Sequence, residues 1–145
     1  MIYIGIDTGV NTGMAVWDSK ERKFKEIETV KIHVAMKTVA DYISVYGRDN
    51  VVVKVEDARQ RRWYGREADF MSREAESKKF QGVGSVKRDC TIWEDYLKDA
   101  GVRFHMIAPK DNITKMDADK FRNLTGWAGR TNEHNRDAAM LVFGF

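Results

Sequence analysis

Apolar and polar positions alternate with period two through MIYIGID, which places Ile2, Ile4 and Ile6 on one face of a strand and Tyr3, Gly5 and Asp7 on the other. Gly9 and Gly13 mark a tight connection, and Met14 to Trp17 read as a second strand leaving it. A third strand is expected over about 23–32, with the polar run DSKERK as the turn before it. Short connections of this kind favour an antiparallel meander. Met36, Val39, Ala40, Ile43 and Tyr46 then recur at helical spacing and stop at Gly47, a good C-terminal cap. VVVKVE, residues 51–56, is a β-branched run that reads as a buried fourth strand ending in Glu56.

The stretch from about 66 to 100 is polar and then apolar at helical spacing through Val86, Cys90, Trp93, Tyr96, Leu97 and Ala100, with Gly101 as its stop. Gly82 and Gly84 are expected to break it, leaving a basic helix or loop and then a longer helix. VRFHMIAP follows as a fifth strand closed by Pro109. The last helix is expected to start near Thr131 or Asn132, both good N-caps, and to run through Ala138, Ala139, Leu141 and Val142. The resulting order, βββαβαβα, makes an α/β chain with a mixed sheet and helices on both faces. The first and fourth strands can then be neighbours, which would bring Asp7 and Glu56 together.

Composition adds bounds. A chain of 145 residues without internal repeats or a linker is expected to form one domain, residues 1–145. One cysteine, Cys90, excludes a disulfide framework and a four-thiolate zinc site and suits a reducing cytoplasm. No apolar run approaches the roughly 20 residues that cross a bilayer, so no membrane partner is expected. The formal charge of +3 says little by itself. Its distribution says more: ARQRRWYGRE sets Arg59, Arg61, Arg62 and Arg66 around Trp63 and Tyr64, guanidinium groups and stacking rings together, a combination suited to nucleic acid. A solvated helix face would account for the same run, since Glu67, Asp69, Glu74 and Glu76 follow it.

Two carboxylates side by side in a sheet repel each other unless one is protonated or a cation lies between them. In NEHNRDAAML, His134 and Asp137 are three residues apart and share a helical face. If that face packs across the strand ends, Asp7, Glu56, His134 and Asp137 form an oxygen-rich cluster with one imidazole, which selects Mg²⁺ or Mn²⁺. Two such ions about 4 Å apart are the apparatus of in-line phosphodiester cleavage, with Asp7 as the bridging ligand. Each acid has a plainer account: Asp7 as a hairpin residue, Glu56 as a solvated strand end, Asp137 as a partner of Arg136 or Arg130. Glu133 and Asp57 are the adjacent alternatives to His134 and Glu56.

IGIDTGVNTG near the start, VVVKVE ending in an acid, and the late HNRDAA resemble the RuvC-type Holliday junction resolvases of the RNase H-like superfamily, over essentially the whole chain. The resemblance implies a five-stranded mixed sheet of order 3-2-1-4-5. It implies Asp7, Glu56 and Asp137 as metal ligands, with His134 where members carry a histidine or a further acid. APKDNITKMDADKF resembles the basic stretch that contacts DNA near the scissile phosphate, with Lys110, Lys115 and Lys120 as candidates; Arg130 joins the expected DNA contacts. A homodimer that makes paired nicks in a four-way junction, dependent on two Mg²⁺ with Mn²⁺ able to substitute, is implied by analogy. Cellular members often carry an aromatic three residues after the acid of the fourth strand, where this chain has Arg59. The charged 59–80 stretch resembles the phage-encoded branch more, which would place the protein in a host cytoplasm. Other readings are a ribonuclease H acting on RNA–DNA hybrids, a non-catalytic branched-DNA-binding module, and the sugar-kinase type of ATPase, which shares the opening motif but needs a second domain.

Overall fold

The computed structural model describes residues 1–61 and 73–145, and side chains for 1–61 and 81–145. The alternation at the N-terminus becomes β1 (Ile2–Asp7), whose Ile2, Ile4 and Ile6 lie in one core while Tyr3 packs on the other. β1 pairs antiparallel with β2 (Thr12–Asp18) and parallel with β4 (Val51–Glu56). β3 (Lys23–Val30) and β5 (Arg103–Ile107) complete a sheet of order β3-β2-β1-β4-β5, as expected.

α1 (Ile32–Tyr46) stops at Gly47, whose φ of 83° is open to glycine and whose N–H donates to the Ile43 carbonyl. With α2 (Arg73–Ala100) it covers one face of the sheet, where Ala35, Val39, Trp93 and Leu97 pack on Ile4, Ile6, Val53 and Val55. Each of the larger aliphatic side chains contributes about 1.5–3 kcal/mol on burial. The opposite face is covered by α4 (Glu133–Met140), with Phe121 from α3 (Ala118–Thr125) beside Ala15, Trp17, Phe24, Ala138 and Val142. Among the described residues no helix is long and apolar enough to cross a membrane.

Two expectations need correction. α2 runs unbroken for 28 residues through Gly82 and Gly84. Both glycines are exposed, and the roughly 1 kcal/mol each costs relative to alanine is outweighed by the burial of Cys90, Trp93 and Leu97 further along the same helix. α3 was not anticipated. The Asp117 side chain caps it by accepting from the Lys120 N–H, and Gly126 ends it in the left-handed region at φ 73°. In so polar a segment only Phe121 is buried, too little to show a helical period.

Gly13 proves to be more than a turn marker. It lies within β2 opposite Asp7, and a Cβ there would run into the His134 carbonyl; a Cβ on Gly5 would run into the Ala138 carbonyl. At these two points the backbone of α4 therefore rests directly on the backbones of β1 and β2.

Candidate metal centre

The parallel register of β1 and β4 sets Asp7 opposite Glu56, and both side chains fall on the face that α4 covers. The start of α4 is held by a reciprocal cap: Asn132 accepts from the Asn135 N–H while the Asn135 side chain accepts from the Asn132 N–H. Thr29 of β3 donates to the Asn132 side chain at 3.0 Å, tying this cap to the sheet. Seated by the cap and by Gly13, His134 brings its Nδ1 to 3.0 Å from Asp7 Oδ2. Glu133 and His134 are both exposed at this turn, and it is His134 that meets Asp7.

A connection of ten residues between β5 and α3 closes the site from the other side. Asn112 Nδ2 donates to Glu56 Oε2 at 2.9 Å and to the Asp137 carbonyl at 3.0 Å. The Lys115 N–H donates to Asp137 Oδ1 at 2.9 Å, from a backbone in the left-handed region at φ 58°. Each carboxylate is thus held at one oxygen. Among the described residues Asp7 Oδ1, Glu56 Oε1 and Asp137 Oδ2 have no hydrogen-bond partner, and none of them is fully enclosed.

All three acids are buried. Burial and the Glu56 charge push the Asp7 carboxyl up to about 7 against the opposing pull of His134, with Asp137 raising it further. Burial also raises Glu56, against the Asn112 hydrogen bond, and raises Asp137, against the Lys115 N–H. Hard oxygen donors that resist being charged together suit a divalent cation, which relieves their repulsion. The geometry departs from the expected four-ligand cluster in one respect: among the described residues, no group of three or more His, Cys, Asp or Glu side chains is disposed to hold a metal ion. Glu56 and Asp137 are drawn toward the Asn112 and Lys115 donors, and His134 lies against Asp7, so the acids converge on one end of the sheet without forming a closed shell.

Asp57 is turned away into a separate network. Its carboxylate takes the Arg59 Nε at 2.8 Å and Nη2 at 2.9 Å, and Arg59 Nη1 reaches Glu94 at 2.8 Å. Burial works the other way, but these bonds hold Asp57 below the usual carboxylate range. Arg59, expected at DNA, is thereby engaged by two carboxylates, and a phosphate there would compete with both. Thr8 Oγ1 donates to the Glu56 carbonyl at 3.3 Å and fixes the end of β4.

Of the other expected DNA contacts, Arg61, Lys110 and Lys115 are exposed and without an ion pair among the described residues. Lys120 pairs with Asp117 at 3.6 Å. Arg130 lines a cavity of about 180 Å³ with Arg122, Trp127 and Thr131, next to the chain that enters α4. Arg62, Trp63 and Tyr64 lie outside the described residues. Sequence reasoning missed Asn112 and the Lys115 amide, because a single loop asparagine and a backbone N–H carry no pattern.

The strand order, its pairings and the helices on both faces define an α/β protein with the RNase H-like fold. Among solved structures the chain is similar to T. thermophilus RuvC in complex with Holliday junction substrate, with a TM-score of 0.53 and 18% identity over 97% of this chain and 89% of that one. No protein-family model matches the chain, and no curated protein matches it.

Proposed function

We propose that the protein is a divalent-metal-dependent endodeoxyribonuclease that cuts branched DNA, four-way junctions in particular, by paired nicks from a homodimer. The observation that carries this reading is the set of three buried carboxylates, Asp7, Glu56 and Asp137, each held at one oxygen and, among the described residues, without a partner at the other, in a fold similar to that of RuvC on a Holliday junction. Asp7, Glu56 and Asp137 would hold Mg²⁺, which would supply a polarised water and charge stabilisation for a leaving 3′ oxygen. His134 keeps Asp7 turned toward its neighbours; with Asp7 ionised, Nδ1 carries the hydrogen of that bond. Lys110, Lys115 and Arg61 supply positive charge for the phosphates flanking the cut, and the cleft of Arg122 and Arg130 extends it past α4.

The test is an immobile four-way junction, end-labelled on each strand in turn, with Mg²⁺ or Mn²⁺. Symmetric paired nicks that need the metal are expected. Cutting of an RNA–DNA hybrid with the junction left intact would replace the substrate, and binding without cutting of either would make the protein a branched-DNA-binding module. Lys115→Ala and Arg61→Ala are each expected to weaken junction binding and to lower the slope of log K against log salt by about 0.9, one phosphate contact apiece. A slope equal to that of the unmodified protein would remove the residue from the interface.

A further inference from the structure

The Asn112 side chain hydrogen-bonds two of the acid-bearing elements at once. Its single amide nitrogen spends both hydrogens across the site, one on Glu56 Oε2 at the end of β4 and one on the Asp137 carbonyl within α4. The residue is half-buried and follows the 3₁₀ turn Pro109–Asp111, whose Pro109 carbonyl accepts the Asn112 N–H at 3.3 Å. Three residues on, the same loop returns to donate the Lys115 N–H to Asp137 Oδ1. The loop thus grips one oxygen of each of two carboxylates and fixes the strand end to the helix. Among the described residues Glu56 Oε1 is left without a hydrogen-bond partner.

We propose that Asn112 is a positioning residue for cation binding, orienting Glu56 so that it presents one oxygen and coupling that oxygen to the helix that carries Asp137. This inference rests on the metal-dependent reading above. An amide is suited to the task where the alternatives are not: an aspartate would add a fourth negative group, and a lysine would neutralise Glu56 and displace the cation. Donors that orient metal ligands from behind typically contribute 10- to 100-fold in metal affinity.

The experiment uses the full chain without DNA, titrated with Mn²⁺ in a calorimeter near neutral pH, together with melting temperatures in chelator and in excess Mn²⁺. Asn112→Ala is expected to weaken Mn²⁺ binding by about tenfold or more and to shrink the rise in Tm that Mn²⁺ produces. Asn112→Ser, which keeps one donor, gives a second reading if the alanine variant folds poorly, with weakened binding again expected. Asn123→Ala, on exposed α3, is the control and should bind as the unmodified protein does. A purely structural role would lower both melting temperatures together and leave the Mn²⁺-induced rise intact. If the unmodified protein binds Mn²⁺ and both Asn112 variants bind it equally well, the proposal fails and the nuclease reading stands; if the unmodified protein binds none, both fail.

Discussion

Asp7→Asn is expected to be more stable than the unmodified protein above neutral pH when both are freed of metal by chelator and, on the proposed function, to cut no junction in Mg²⁺. The Asp7 carboxyl sits at about 7 in the folded chain against 3.8 for an ordinary aspartate, because burial and then Glu56 oppose its charge. The folded state therefore keeps a proton that the unfolded state has released between these values. Stability falls as pH rises through that window, and the full penalty is present above it. At about 1.4 kcal/mol per unit the upper bound is roughly 4 kcal/mol, shared with the acids that interact with Asp7. Asparagine removes the charge at nearly constant shape, so a gain of about 2–4 kcal/mol near pH 8 is expected, vanishing toward pH 4. Urea denaturation at both pH values checks it. A variant no more stable than the parent at pH 8, or a gain that does not depend on pH, would mean that the acids are not straining the fold. Loss of cutting alongside gained stability is the mark of a site held against its own preference.

Gly13→Ala is expected to cost at least about 3 kcal/mol and to separate His134 from Asp7. The new methyl would meet the His134 carbonyl and lie 2.9 Å from the Asn135 nitrogen, backbone atoms locked by the α4 cap. Helix and strand must part, and the reciprocal Asn132–Asn135 cap resists the movement. Gly5→Ala should cost as much, through the Ala138 carbonyl, while disturbing the other end of the helix. Gly9→Ala is the comparison: its nearest neighbour, the Asn11 carbonyl, is 3.7 Å away, and an effect within about 0.5 kcal/mol is expected. A Gly13→Ala midpoint equal to that of Gly9→Ala would show that α4 does not bear on β2 as described.

Much of this arrangement could be read along the chain. Period-two alternation is unambiguous where one face holds Ile2, Ile4 and Ile6 and the other ends in Asp7, and β-branched VVVKVE marks a central strand. The βββαβαβα order then leaves few ways to place β4, and parallel pairing with β1 sets Asp7 against Glu56. His134 and Asp137 follow from helical spacing once the Asn132 cap is recognised. What escaped depends on contacts between distant segments. The continuity of α2 through Gly82 and Gly84 is decided by packing further along, which outweighs local propensity. α3 has one buried residue, so its period could not be seen. Arg59 looked available because its partners, Asp57 and Glu94, are 2 and 35 positions away and only the fold unites them. The grip of Asn112 and the Lys115 amide on the acids is invisible for the same reason, and it separates an array of convergent carboxylates from a closed metal shell.

The bare glycine surface on β1 and β2 also sets a clock. During synthesis the first and second acids emerge with β1 and β4, but α4, which brings His134 and Asp137, leaves the ribosome after every other element of the site. A nascent chain halted before α4 holds two acids and no third, with Gly5 and Gly13 uncovered. On the proposed function, the three-acid site would be complete only once α4 has emerged and docked, after the sheet, both crossover helices and the loop that grips the acids.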